Sequence, residues 1–443
     1  SAGVEVRVDA FDPAGRRSFN PIDLRSSSTR PMVYTRRSGE GRGSLTAEEL
    51  RSALDAGFDL VDVEVGAISH GSLTPHLDRI LLSLHDYRSV PPLDQTIREM
   101  TASGARFLKV AVTPASFEED RVILECVARR AGAGNLTLFG MGRHGLYSRT
   151  LAPFLGSQFS FVAIDEDRAA APGQLPIDRA AALWDRLPSA VPEYLFAVVG
   201  NPAIHSQSPR IHNARFREAG FHAAYGIIEA DSLVEVLEAM ERRLPCAPSG
   251  LSVTAPFKKD LLHEGMRRGW TTSERANRVG SANTLVSRGE SFVVDNTDVL
   301  GFARALEKCP RGLRVAIIGA GGTGRAAAFA AFDRGLDITI FNRTTARAEE
   351  LARIVRGSAR SVEEPGEGSF DVVIDTVPAD ALGTLALRLL SENGYLIRVA
   401  YDGSNTVEES ARFRGIEIFG ALDLLDAQAE EQSKYFIQVA GGE

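Results

Sequence analysis

The chain has 443 residues, 44% hydrophobic and 24% charged, with 41 Gly and 20 Pro, a composition that excludes a disordered or collagen-like polymer. Its 50 basic and 58 acidic residues give a formal charge of −8 without a basic block, which argues against nucleic acid or an anionic membrane as the main partner. No apolar run approaches the ~18 residues of a membrane span, and the length suits two or three domains of ~150 residues.

The 3 cysteines, Cys126, Cys246 and Cys309, are far apart, which suits a reducing compartment and argues against structural zinc. These features predict a soluble cytoplasmic protein acting on small molecules, with a plastid stroma and a homo-oligomer both left open. Lysine is scarce: Lys109, Lys258, Lys259, Lys308 and Lys434 are the only ones among the 50 basic residues. Arginine cannot give up its proton to act as nucleophile or base, whereas lysine can, so each lysine invites a question.

In chain order, apolar runs at Val4–Val8, Met32–Thr35, Leu60–Val65, Ile80–Leu84, Leu108–Val112, Leu136–Met141 and Phe159–Ile164 predict strands. Amphipathic stretches between them, such as Thr46–Ala56, Leu93–Ser103 and Phe117–Arg130, predict helices. Alternating buried strands and helices in the first ~165 residues predict a (β/α)8-type TIM barrel, and the first strand is missing because nothing before Val4 can pair as one. The prolines of 187–193 mark a linker, and Tyr194–Val199 opens a new unit. From Leu313 a strand, a glycine turn and a helix are followed by further strands at Ile338–Phe341, Val372–Thr376, Tyr395–Val399 and Ile416–Phe419, a Rossmann arrangement. The expected α/β domains are a barrel at 1–188, a substrate lobe at 193–300 completed by 420–443, and a nucleotide lobe at 301–419.

The turn Gly319-Ala320-Gly321-Gly322-Thr323-Gly324 lies between predicted strand and helix, where glycines admit a pyrophosphate to the backbone at a helix N-terminus. A glycine-rich connection without ligand is the alternative. An NAD site places Asp or Glu at the end of the second strand. This strand ends instead in Asn342-Arg343-Thr344, with Arg347 following, and two guanidinium groups suit a 2′-phosphate, favouring NADP(H).

Ahead of that turn lie Gly200-Asn201-Pro202-Ala203-Ile204-His205-Ser206-Gln207-Ser208-Pro209, Ser252-Val253-Thr254-Ala255-Pro256-Phe257-Lys258, Ser281-Ala282-Asn283-Thr284 and Asn296-Thr297-Asp298. In this order these blocks resemble shikimate dehydrogenases, over about residues 195–440. Ketone reduction with a nicotinamide needs a proton donor beside the carbonyl oxygen, and Lys258 held by Asp298 suits that task. The resemblance implies Lys258 and Asp298 as the catalytic pair, with Ser206, Ser208, Thr254, Asn283, Tyr401 and Gln428 binding the ring hydroxyls or carboxylate. Ser252 stands where the family often has Asn, and the segment leading to Gln428 carries one extra residue.

In the first half, Thr35-Arg36-Arg37-Ser38-Gly39-Glu40, Asp62-Val63-Glu64, Ser83-Leu84-His85-Asp86, Lys109-Val110-Ala111-Val112, Ser148-Arg149 and Ala171-Pro172-Gly173-Gln174 resemble type I 3-dehydroquinate dehydratases. A lysine amine condensing with a β-hydroxy ketone acidifies the neighbouring carbon, and an imidazole can take that proton and return it to the leaving hydroxyl. The resemblance implies Lys109 as the Schiff-base lysine, His85 as the proton carrier and Glu40 as its orienting group. Arg149 and Gln174 then hold carboxylate and hydroxyls, with Glu5, Arg7 and Arg36 lining the floor. Ala170 replaces the family's usual Ser. Together the two halves imply a fusion acting on 3-dehydroquinate, 3-dehydroshikimate and shikimate. The alternatives are a quinate/shikimate dehydrogenase fused to an inactive, ligand-binding barrel, or a quinate enzyme using NAD.

Overall fold

The computed structural model describes residues 3–11, 20–37, 45–185, 187, 190–307, 309–365, 370–377, 383–399 and 406–440. The chain divides into two units, Ser1–Pro192 with Arg243–Ala247, and Glu193–Arg242 with Pro248–Glu443.

The first unit holds six strands paired in chain order and all parallel: β1 (Val4–Arg7), β2 (Met32–Thr35), β3 (Leu60–Glu64), β4 (Ile80–Asp86), β5 (Phe107–Val112) and β6 (Leu136–Gly140). Helices Ala47–Asp55, Leu93–Thr101 and Phe117–Ala128 fill the crossovers and bury Leu50, Leu54, Ile97, Met100, Ile123 and Leu124. The hydroxyls of Thr46 and Ser116 start two of them by accepting from the amides of Glu49 and Glu119. This is the winding of a TIM-barrel sheet.

The seventh strand, expected at Phe159–Ile164, is not formed. That stretch makes one bridge, Ala163 to Pro176, and the Phe159 amide donates to the Thr137 hydroxyl at 3.1 Å. Its apolar residues serve ring packing rather than ladder pairing, with Phe159 edge-on to Phe107 at 5.2 Å and Phe161 tilted against Phe139 at 6.5 Å. Among the described residues β1 and β6 are therefore the edges of an open sheet.

The second unit contains two sheets. The first has the order β10-β12-β11-β9-β7-β8, from β7 (Tyr194–Gly200), β8 (Ala223–Glu229), β9 (Gly250–Val253), β10 (Thr271–Thr272), β11 (Thr284–Arg288) and β12 (Ser291–Asp295). Only the β9–β11 and β11–β12 pairs are antiparallel. The other sheet is wholly parallel, with order β15-β14-β13-β16-β17-β18 from β13 (Arg314–Ile318), β14 (Asp337–Asn342), β15 (Ser358–Ser361), β16 (Phe370–Asp375), β17 (Leu390–Arg398) and β18 (Glu417–Phe419). Strand order reverses between β13 and β16, which opens the crevice where doubly wound folds bind dinucleotides. The final helix, Ala421–Ala440, returns to the mixed sheet, where Phe436 is fully buried against Phe196 with ring centres 4.6 Å apart. No helix among the described residues is long and apolar enough to cross a membrane.

Candidate active sites

Parallel register aligns Lys109 of β5 with Ser83 of β4, and Ser83 with Glu64 of β3. Side chains of one parity then converge on one face of the sheet. Lys109 sits inside β5 rather than at its end, almost completely buried, with Nζ 3.2 Å from Asp62 Oδ2, 3.7 Å from Glu5 Oε1 and 3.5 Å from the Phe161 ring centre. Arg37 forks onto Asp62 at 2.8 and 2.5 Å, and the Ser83 hydroxyl donates to the same carboxylate at 2.5 Å.

Burial lowers the pKa of Lys109 below the ordinary lysine range, although Glu5 and Asp62 pull the other way. Burial alone raises that of Asp62, but Lys109 and Arg37 hold it well below the usual carboxylate range. The His85 imidazole, near the end of β4, is lowered to about 2 by burial and by the Arg37 and Lys109 charges, and is therefore neutral. Its Nδ1 lies 3.8 Å from Glu64 Oε1. Glu40, assigned to orient it, lies outside the described residues.

Glu5, Arg7, His85, Lys109, Arg149 and Gln174 line one cavity together. Arg7 ion-pairs with Asp9 at 2.8 Å, Glu5 accepts from the Thr35 hydroxyl at 3.0 Å, and Gln174 Oε1 accepts from the Ala170 amide at 2.8 Å. Arg36 does not reach this cavity. Alternation along β2, carried on through the two residues after it, turns Tyr34 and Arg36 toward the helix Ala47–Asp55, where both bond Glu49, and turns Thr35 and Arg37 inward. The floor arginine is thus Arg37, one residue later than expected. Strand parity could have found it, since Thr35 and Arg37 share a face.

In the second unit, Lys258 opens the helix Lys258–Arg267 and donates to Asp298 Oδ2 at 2.5 Å and to Thr323 Oγ1 at 3.2 Å. Asn283 Nδ2 holds the other Asp298 oxygen at 2.7 Å, and its Oδ1 accepts from the Thr297 amide at 2.8 Å. A cavity of about 130 Å³ brings Ser206, Ser208, Thr254, Lys258, Asn283, Asp298 and Gln428 together. The extra residue before Gln428 does not remove it from the site.

Gln432, one turn further on, was missed. It accepts from the Ser252 hydroxyl at 2.8 Å and donates to Thr284 Oγ1 at 2.9 Å, while Tyr225 donates to Ser252 at 2.6 Å. The i, i+4 spacing of Gln428 and Gln432 was the available signal. Tyr401 lies outside the described residues.

A second cleft of about 680 Å³ shares Ser206, Thr254, Lys258 and Thr323 with that cavity and extends along Ala320, Gly321 and Gly322 to Arg347. Gly319 has φ +107°, and a Cβ there would stand 2.5 Å from the Thr376 hydroxyl of the neighbouring connection. A Cβ on Gly324 would lie 2.0 Å from the Gly319 carbonyl, so the helix Gly322–Arg334 can start this close to β13 only with glycine. Gly321 has no heavy atom within 4 Å of its Cβ position, leaving its backbone open to a ligand. Asn342 Oδ1 accepts from the Ala320 amide at 3.3 Å, and its Nδ2 donates to the Thr344 carbonyl at 2.9 Å. Arg343 and Thr344 are exposed outside the cleft lining, whereas Arg347 lines it. This turn fits a dinucleotide. Among the described residues no cluster of His, Cys, Asp or Glu could hold a metal ion.

Three family models match: type I 3-dehydroquinase over residues 2–185, the shikimate dehydrogenase substrate binding domain over 198–285, and shikimate / quinate 5-dehydrogenase over 303–379. A shikimate dehydrogenase (NADP(+)) of Hyphomonas neptunium is 36% identical, covering 53% of this chain and 88% of the relative. The chloroplastic bifunctional 3-dehydroquinate dehydratase/shikimate dehydrogenase of Arabidopsis thaliana is 28% identical, covering 82% of this chain and 64% of the plant protein. The pentafunctional AROM polypeptide of Candida glabrata is 30% identical, covering 91% of this chain and 28% of the yeast protein. The chain therefore spans less than two thirds of these two longer relatives. It belongs to the shikimate dehydrogenase family, joined in one polypeptide to a type I 3-dehydroquinase domain.

Proposed function

We propose that the chain carries out two successive steps, dehydration of 3-dehydroquinate to 3-dehydroshikimate and its NADPH-dependent reduction to shikimate. We assign the lyase to residues 1–188, and the reductase to the lobes 193–300 with 420–443 and 301–419, in the cytoplasm. The observation that carries the reading is the placement of two lysines, one in each unit. Lys109 is buried beside Asp62 in the barrel cavity, and Lys258 is paired with Asp298 where the substrate cavity meets the nucleotide cleft.

In the barrel, the Lys109 amine attacks the ketone carbon and the carbonyl oxygen leaves as water, giving an iminium that draws electrons from the adjacent C–H bond. His85 takes that proton as a neutral base. The electron pair moves into the iminium, then returns to expel the β-hydroxyl, to which His85 delivers the proton. Water hydrolyses the imine and restores Lys109. Arg149 and Gln174, which line the same cavity, hold carboxylate and hydroxyls. An inactive barrel has no need of an amine whose neutral form burial favours.

In the second unit, Lys258 gives a proton to the carbonyl oxygen, and Asp298, fixed by Asn283, holds the ammonium in place. NADPH, when bound, supplies the hydride to the carbonyl carbon. The turn Gly319–Gly324 offers it open backbone, and Arg347 a guanidinium for the 2′-phosphate. Arg347→Ala is expected to raise KM for NADPH about tenfold, as for a lost charge-assisted contact, and to leave KM for NADH unchanged, which steady-state kinetics with both cofactors checks. Incubating the chain with dehydroquinate and NADPH tests the whole reading. Shikimate accumulates as NADPH is consumed, and with NADPH withheld the enone absorbance of dehydroshikimate rises; no enone in the absence of NADPH would overturn the lyase half.

A further inference from the structure

Arg149 belongs to the barrel cavity, yet its own support is unusual. Its side chain is buried over the Phe139 ring, 4.5 Å from the centre, its Nε donates to the Gly140 carbonyl at 3.2 Å, and Nη2 has no hydrogen-bond partner. No carboxylate forms an ion pair with it among the described residues, and burial lowers its pKa to about 10. The one charge that opposes this shift is Asp120, on the helix Phe117–Ala128.

Asp120 is completely buried and does not line the cavity. Its Oδ2 accepts from the Ser148 amide at 2.9 Å, and Oδ1 has no hydrogen-bond partner. The Ser148 hydroxyl in turn accepts from the Gly140 amide at 2.7 Å. Asp120 therefore grips the backbone next to Arg149, and Ser148 ties that backbone to the residue whose carbonyl holds the guanidinium. The end of β6 and the start of the helix Leu146–Leu151 are packed with no room to spare: a Cβ on Gly140 would stand 2.6 Å from Asp120 Oδ1 and 2.5 Å from the Gly145 Cα. Burying a carboxyl with one oxygen unpaired is costly, and a helix-capping hydroxyl would have held Ser148 without that cost. The negative charge is what a hydroxyl lacks.

We propose that Asp120 is a positioning residue for the barrel site, fixing Arg149 through Ser148 and supplying its counter-charge so that Nη2 stays free for the carboxylate of the substrate. The proposal rests on the lyase reading given above. Burial raises the Asp120 carboxyl to about 7 against the opposing pull of Ser148, the Tyr147 amide and Arg149, which leaves its charge responsive to what Arg149 binds.

The test uses the full chain in a Lys109→Ala background, where no turnover obscures binding, and reads the affinity for dehydroquinate by calorimetry. Adding Asp120→Ala is expected to weaken binding about tenfold, the scale of one misplaced charge-assisted contact, and Asp120→Asn, which keeps an acceptor for the Ser148 amide but loses the counter-charge, to weaken it about threefold. With Lys109 intact, Asp120→Ala should raise KM for dehydroquinate and leave kcat nearly unchanged. The NADPH-dependent reductase rate, measured on the same molecules, shows that the variant chain is folded elsewhere. An Asp120→Ala chain that binds like its parent, or an Asp120→Asn chain that does so, overturns the role. Absence of any borohydride-trapped adduct in the unmodified chain overturns the lyase reading instead.

Discussion

Replacing Lys109 by alanine is expected to lower dehydration of dehydroquinate by roughly four orders of magnitude, the scale seen when a covalent nucleophile is removed, and to leave shikimate formation from dehydroshikimate unchanged. Borohydride trapping followed by mass spectrometry checks this directly, with an adduct on Lys109 in the parent chain and none in the variant. Survival of an adduct elsewhere would move the chemistry to another amine. The pH dependence sharpens the expectation. The nucleophile is the neutral amine, and burial lowers its pKa, so the rate should rise through a group below the ordinary lysine range of ~10.4. His85, held to about 2, is already neutral, so it should add no step near the unperturbed imidazole value of ~6.5. A clear inflection there that persists in an Asp120→Asn chain would show that His85 titrates as an exposed imidazole does.

The second large effect belongs to Lys258. Lys258→Ala should reduce the NADPH-dependent rate by ~10²–10⁴, the usual worth of a positioned acid–base group, with little change in KM for dehydroshikimate. Asp298→Asn keeps the Asn283 side of the contact but removes the charge that faces Nζ at 2.5 Å, and should lose much of the same rate. The lyase step should be untouched in both chains. If instead KM rises and kcat is retained, Lys258 serves binding alone, and the proton comes from another group.

The strands, helices and glycine turn were legible in the sequence because period-2 and glycine signals are local. Gly319–Gly324 could be placed from its own residues, whereas Lys109, inside β5, and Arg149, on the helix Leu146–Leu151, were reached with His85 through the resemblance of their blocks. What escaped depends on contacts distant in the chain. Asp62 acquires its importance from Lys109 and Arg37, 47 and 25 residues away, and nothing in the run Asp62-Val63-Glu64 says which carboxylate faces inward. Gln432 reaches Ser252 across 180 residues. Phe159–Ile164 reads as a strand because it is apolar, but that character serves packing onto Phe107 and Phe139, which only the assembled sheet reveals.

The division of labour between Arg36 and Arg37 has a consequence for how this chain tolerates change. Two identical side chains, adjacent in sequence, are separated into unrelated jobs by the pleat alone: one braces a helix, the other neutralises the cluster around the reactive amine. Deleting a single residue between Met32 and Arg37 preserves composition and net charge almost entirely, yet turns Arg37 to the helix side and sets Arg36 one step short of the cluster, leaving Asp62 and Lys109 without their third member. An insertion or deletion of one should therefore be ruinous in β2, whereas an exchange of either arginine for lysine should be far milder at Arg36 than at Arg37, where the guanidinium fork spans both carboxylate oxygens.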